Sequence, residues 1–158
     1  STGPKSLREA LGHNTLDSKH WRLVLEAIAM LVGANRLQPC LPARDESKRS
    51  RHVGNFNLAV MKRALTSADF QYLASSVTGG GVNVNRFEQL FLLARRNGAK
   101  TSREWADYAW KIFADLGQGI VKNGAVLATP GENIAEMERL SEKFETDRLP
   151  LLVSLQVI

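Results

Sequence analysis

The run Trp105-Ala106-Asp107-Tyr108-Ala109-Trp110-Lys111-Ile112-Phe113-Ala114-Asp115-Leu116 decides the reading of this chain, together with Ile120-Val121-Lys122-Asn123-Gly124-Ala125-Val126-Leu127 and Thr129-Pro130-Gly131-Glu132 behind it. Trp105, Ala109, Ile112, Phe113 and Leu116 recur at the 3.6-residue period of a helix with one buried face, and Trp110 lies on its flank. Thr101 and Glu104 form a capping pair at its start. Asn123-Gly124 between two short apolar runs predicts a hairpin, because both residues readily take the positive dihedrals of a type I′ turn. Thr129, Pro130 and Glu132 then open a second helix with a cap, a proline whose missing amide costs nothing there, and an acid that returns to the cap. Its apolar face is Ile134, Met137, Leu140 and Phe144. The expected fold class is mainly α (α+β), a helical domain with a small β-hairpin.

Upstream, the same device appears at Asn85 and Glu88, before a helix whose inner side is Phe87, Leu90, Phe91 and Ala94 and which stops at Asn97-Gly98. Val77-Thr78-Gly79-Gly80-Gly81-Val82-Asn83-Val84 reads as a loop with a short extended edge. Ser67 is expected to cap a short helix carrying Phe70, Leu73 and Ala74, and residues 55–65 to form a helix on which Leu58, Met61 and Leu65 share a face. Downstream, Pro150 should kink or break the last helix before the apolar tail 151–158, which must bury itself, by expectation within the same domain.

The front differs. Residues 5–11 predict a short helix, and a stronger one follows, with Asp17 or Ser18 as cap, Trp21, Val24, Leu25, Ile28, Leu31 and Val32 as a buried face, and Gly33 as its stop. Residues 36–42, with Pro39 and Pro42, look like an edge strand. Helix, turn, longer helix and strand give a partial winged-helix-like element over residues 1–43. The polar run 44–52 lacks apolar period and reads as a basic linker, leaving 53–158 as the helical C-terminal domain.

Composition bounds the function. With 158 residues, 44% hydrophobic and 23% charged, the chain can bury a core as one compact unit or two small ones. The longest apolar stretch, 23–32, is interrupted by Glu26 and falls far short of the roughly 20 residues of a membrane span. The start of the chain lacks the pattern of a secretory signal, and the single Cys40 fits a reducing compartment, so a cytoplasmic location is expected. Of the net charge of +5, the front carries the excess: residues 1–63 hold eleven Lys/Arg against five Asp/Glu. A basic stretch of this kind attracts nucleic acid, a membrane surface or an acidic partner, and a merely solvated linker is the plainer reading. Lys19, His20 and Arg22 on the front helix, with Arg44, Lys48, Arg49 and Arg51, are the candidate partner-binding residues.

Catalytic chemistry finds no foothold. Gly79 to Gly81 fails the GxGxxG spacing of a dinucleotide loop, since Val84 holds the third glycine position, and no P-loop is present. His13, His20 and His52 lie on different segments without a companion ligand. Cys40 reads as a small apolar side chain, and the pairs Glu132 with Glu136 and Glu138 with Glu142 as solvated surface acids with ordinary pKa values. No catalytic, cofactor-binding or metal-binding residue is assigned. A DNA-binding winged helix is the alternative, although Glu26 and the apolar circumference leave the helix a thin recognition surface.

Several segments in order form a recognisable pattern: Ser6-Leu7-Arg8-Glu9-Ala10-Leu11, Phe56-Asn57-Leu58-Ala59, Lys62-Arg63-Ala64-Leu65, Leu73-Ala74-Ser75-Ser76-Val77, Leu90-Phe91-Leu92-Leu93-Ala94, Gly119-Ile120-Val121-Lys122-Asn123-Gly124, Pro130-Gly131-Glu132-Asn133-Ile134-Ala135-Glu136 and Arg148-Leu149-Pro150-Leu151-Leu152. Together they resemble the C-terminal region of bacterial class I S-adenosylmethionine-dependent methyltransferases with a methyltransferase regulatory domain, related to protein-lysine methyltransferases. The resemblance implies a non-catalytic accessory or regulatory domain. S-adenosylmethionine would then bind a separate catalytic domain, and the partners of this region would be that domain, a protein substrate or a second copy. No catalytic residue carries over, because the matching positions lie outside the methyl-transfer motif.

Overall fold

The computed structural model describes residues 5–7, 9, 18–34, 36–42 and 44–158. Its elements are α1 (Ser18–Gly33), α2 (Glu46–Arg63), β1 (Tyr72–Ala74), β2 (Gly81–Asn83), α3 (Arg86–Arg96), α4 (Ser102–Asp115), β3 (Val121–Lys122), β4 (Ala125–Val126), α5 (Pro130–Lys143), a π-helical turn (Phe144–Arg148) and α6 (Leu149–Ser154). The fold is mainly helical, with two small antiparallel hairpins.

Local chemistry sets the three central helices. Asn85 with Glu88, Thr101 with Glu104 and Thr129 with Glu132 each form reciprocal capping bonds, as their spacing predicts. The apolar faces of α3, α4 and α5 then meet in one core. Phe144 is its aromatic centre, tilted against Phe91 at 5.6 Å and edge-on to Trp105 at 6.2 Å. Leu90, Ala109, Met137 and Leu152 are fully enclosed around it. Leu116 is the exception on the α4 face, lying half exposed past the helix end where no element covers it.

The β3–β4 hairpin turns through Asn123 (φ 51°) and Gly124 (φ 83°), as Asn-Gly predicts. Two side chains of α5 hold it. Buried Asn133 accepts from the Ile120 amide at 2.7 Å and donates to the carbonyls of Leu127 and Thr129. Glu136 takes Lys122 Nζ at 2.7 Å and the Arg139 guanidinium at 2.5 Å. Glu136 is thus not a solvated surface acid, as its position on an acid-rich helix predicts, but a buried one. The Arg139 and then the Lys122 hydrogen bonds hold its pKa down at about 2, against an ordinary 4.5.

Four further expectations are corrected. The short helix at 67–74 is replaced by β1, paired in register with β2 as Tyr72↔Asn83, Leu73↔Val82 and Ala74↔Gly81. The reason is tertiary: Asn57 of α2 closes the free edge of β1, accepting from the Ala74 amide at 2.7 Å and donating to its carbonyl at 2.8 Å. The expected linker 44–52 is helical from Glu46 onward, so α2 begins two turns earlier than residues 55–65 suggest. Residues 36–42 pair with no strand; the Leu41 amide donates to the Val77 carbonyl at 2.8 Å and the Pro42 carbonyl accepts from Arg49 at 2.8 Å. Of the face of α1 expected to be buried, Trp21, Leu25, Leu31 and Val32 are exposed and Val24 and Ile28 only partly buried. Of the winged-helix-like element, therefore, the described residues retain α1 without an accompanying strand. Ser6 and Glu9 exchange capping bonds, and the rest of the predicted helix at 5–11 and its neighbour's cap Asp17 lie outside the described residues.

At the C-terminus Pro150 sits in the first turn of α6, after the π-helical turn breaks the regular ladder. The tail folds back into the domain, as expected, with Leu152 and Val157 enclosed. Asn57 Nδ2 donates to the Val157 carbonyl at 2.7 Å, Ser75 Oγ to that of Leu155 at 2.7 Å, and Ser76 Oγ to Gln156 Oε1 at 2.6 Å.

Two outcomes follow. Asn57→Ala strips three hydrogen bonds from buried backbone groups and should lower the urea-unfolding free energy by about 3 kcal/mol; a loss under about 1 kcal/mol would contradict the clamp. Because Glu136 has a folded-state pKa below its unfolded value, its contribution is complete above pH 4.5 and is lost as pH falls toward about 2. The thermal midpoint should therefore decline over that window, and less steeply in Glu136→Gln.

Candidate contact surface

The amino-acid pattern of α2 becomes legible once its true start is known. Lys48, Arg51, His52, Asn55, Phe56, Ala59, Lys62 and Arg63 follow a three-and-four spacing, and all are exposed. On the other side Asn57, Val60 and Met61 face the core. The outer face therefore carries Lys48 and Arg51 near its start and Lys62 and Arg63 at its end, with uncharged Asn55, Phe56 and Ala59 between them, and Glu46 is the one acid of the helix, bonded to Gln156.

On the core-facing side of the helix lies a groove of about 330 Å³ between α2 and α3, lined by Gly54, Asn57 and Met61 on one side and Leu92, Arg95 and Arg96 on the other, with the tail at its end. Met61 and Leu92 are each 2% exposed and form an apolar floor. Arg95 and Arg96 stand exposed at the C-terminal turn of α3, where unsatisfied carbonyls favour positive charge.

The residues expected to bind a partner fall into distinct settings. Lys19 lies in the first turn of α1, and its side chain is outside the described residues. His20 is exposed on the same turn. Arg22 is paired along the helix with Glu26 at 3.0 Å, and Arg44 lies 3.6 Å from Asp45. Arg49 is turned inward: its guanidinium donates to the carbonyls of Pro42 at 2.8 Å and Ser76 at 3.3 Å, and to that of Arg44. It fastens the segment before α2 to the loop after β1. Only Lys48 and Arg51 of the seven share the open face of α2, where the structure adds Lys62 and Arg63; Arg95 and Arg96 lie apart from it, on α3 at the groove. The helical spacing from Lys48 to Arg63 carried that signal. It was obscured because the polar outer side dominates the first two turns.

A second surface is apolar. Leu23 is 58% exposed, Leu25 56% and Met30 70%, on a helix whose whole circumference is rich in aliphatic side chains. Exposed aliphatic side chains gathered on one helix make this a candidate contact surface. Cys40 is exposed, and among the described residues no three His, Cys, Asp or Glu side chains gather as a metal site. No described helix is long and apolar enough to cross a membrane.

The different duties of neighbouring cations are measurable. Arg49→Ala, which abandons three carbonyls, should cost about 1–2 kcal/mol in urea unfolding. Lys48→Ala and Arg51→Ala should each stay within about 0.5 kcal/mol of the parent. Equal effects at all three would refute the structural role of Arg49.

Comparison with known proteins gives a narrow result. No protein-family model matches the chain, and no solved structure matches it. Over 151 residues it is 32% identical to "Uncharacterized protein sll1526" of Synechocystis sp., an alignment that covers 93% of this chain and 29% of that protein. The chain thus corresponds to less than a third of the length of the relative it matches.

Proposed function

We propose that this chain is a non-catalytic accessory domain of a longer S-adenosylmethionine-dependent methyltransferase and acts through protein contacts. The observation that carries the reading is α1, a sixteen-residue helix with Leu23, Leu25 and Met30 in solvent. An ordered helix of this composition gains stability when another protein surface covers it, at roughly 25 cal/mol for each Å² of apolar area removed from water. The sequence resemblance to the methyltransferase C-terminal region supports reading the larger protein as a methyltransferase, and the length of the Synechocystis relative is in keeping with such an arrangement.

On this reading the domain contributes shape and adhesion, while methyl transfer belongs to residues in another part of the polypeptide. The catalytic domain, a protein substrate and a second copy are the surfaces that α1 would meet.

Calorimetric titration of S-adenosylmethionine into the 158-residue chain tests the division of labour. No saturable heat is expected. Micromolar binding of the donor would overturn it.

A further inference from the structure

Four cations of α2, Lys48, Arg51, Lys62 and Arg63, make no ion pair and no side-chain hydrogen bond with any described residue. Elsewhere cations meet acids: Arg103 reaches Glu138, Lys122 and Arg139 share Glu136, and Arg148 holds Glu88. The four stand in two pairs, one near each end of the outer face, and the single acid of the helix, Glu46, is taken up by Gln156. From Lys48 to Arg63 the face runs about 22 Å at 1.5 Å per residue. Phe56 stands midway along it, 56% exposed, one turn after His52 and two turns before Arg63.

Shape and chemistry together narrow the choice of partner. A small ligand or an anchoring peptide side chain needs a concavity. The hollows beside α2 lie elsewhere: one is lined by Gly54 and Met61, the other by Ser47 and Ser50, and neither Phe56 nor any of the four cations lines them. The outer side of a helix is convex, and what such a strip holds is an extended polyanion lying along it, with its charges on the cations at either end. An exposed aromatic ring between those cations adds a flat platform. Carboxylate side chains have no face to lay on it, whereas an unpaired base does. In a duplex the faces of the bases are covered by their neighbours, so the ring selects a single strand.

We propose that the outer face of α2 binds single-stranded nucleic acid, with Lys48 and Arg51 at one end and Lys62 and Arg63 at the other on its phosphates, and Phe56 stacked on a base between them. The inference goes beyond the accessory-domain reading, which concerns α1. The cations supply most of the attraction, and Phe56 supplies the preference for an unpaired strand.

Fluorescence polarisation with the full chain and a fluorescein-labelled oligothymidylate of about twelve nucleotides is the test. Saturable binding is expected, weakening about fifty-fold between about 50 and 200 mM salt as four cations displace counterions from a single strand. An oligouridylate of the same length is the ribose counterpart, and saturation by either strand meets the expectation. Phe56→Ala should weaken binding about tenfold, and Phe56→Trp should preserve it. Lys48→Glu with Arg51→Glu should weaken it by more than about tenfold, while Arg103→Glu with Lys111→Glu on α4, an equal change of net charge, leaves it within about twofold. Circular dichroism confirms that each variant is folded. The proposal is overturned by absent saturation with both strands, by parental affinity in Phe56→Ala, or by equal losses in the two charge-reversed pairs. Tighter binding of duplex DNA, of polyglutamate or of anionic lipid vesicles also overturns it, in favour of a duplex, an acidic protein or a membrane surface respectively. Donor binding in the calorimetric experiment would remove the accessory-domain reading while leaving these polarisation results to stand or fall separately.

Discussion

The amide of Asn57 joins three parts of the chain that are far apart in sequence. From a site 1% exposed on α2 it satisfies both backbone groups of Ala74 and the carbonyl of Val157. A buried peptide group without a partner costs about 1–3 kcal/mol, so this side chain supplies bonds that the outer edge of β1 and the end of the tail would otherwise lack. The neighbouring hydroxyls of Ser75 and Ser76 continue the seam to Leu155 and Gln156. Gln89 performs a related service on the far side, donating to the carbonyls of Phe70 and Val84.

Because the first hairpin and the tail are held in this way, α2 is fixed against the core formed by α3, α4 and α5, and its outer face is a rigid surface. Arg86 adds to the same joint, donating to the carbonyl of Ala64 at the end of α2 while its guanidinium lies 4.5 Å over the ring of Phe113. The groove beside α2 is therefore a product of packing rather than of a mobile loop. Its apolar floor is the outer fringe of the core, and Arg95 and Arg96 at the C-terminal turn of α3 line one side of it.

Two surfaces of different character result. The basic face of α2 sits on the core, whereas the exposed aliphatic side chains of α1 contribute nothing to it. Covering those side chains with another surface would remove apolar area from water.

What was legible in advance was local. The three capping boxes, the Asn123-Gly124 turn and the 3.6-residue apolar period of α4 and α5 are interactions between residues a few positions apart, so spacing alone defines them. The sequence by itself therefore determined the helical class, the second hairpin and the burial of Phe91, Trp105, Met137 and Phe144. Only the tertiary structure decided that residues 72–74 are a strand, that α2 begins at Glu46, that Arg49 is a structural clamp while Arg95 and Arg96 remain open, and that Glu136 is buried. Each of these depends on a partner more than a dozen residues away or on a helix face read from the wrong starting point, and long-range closure leaves no period in the chain to find.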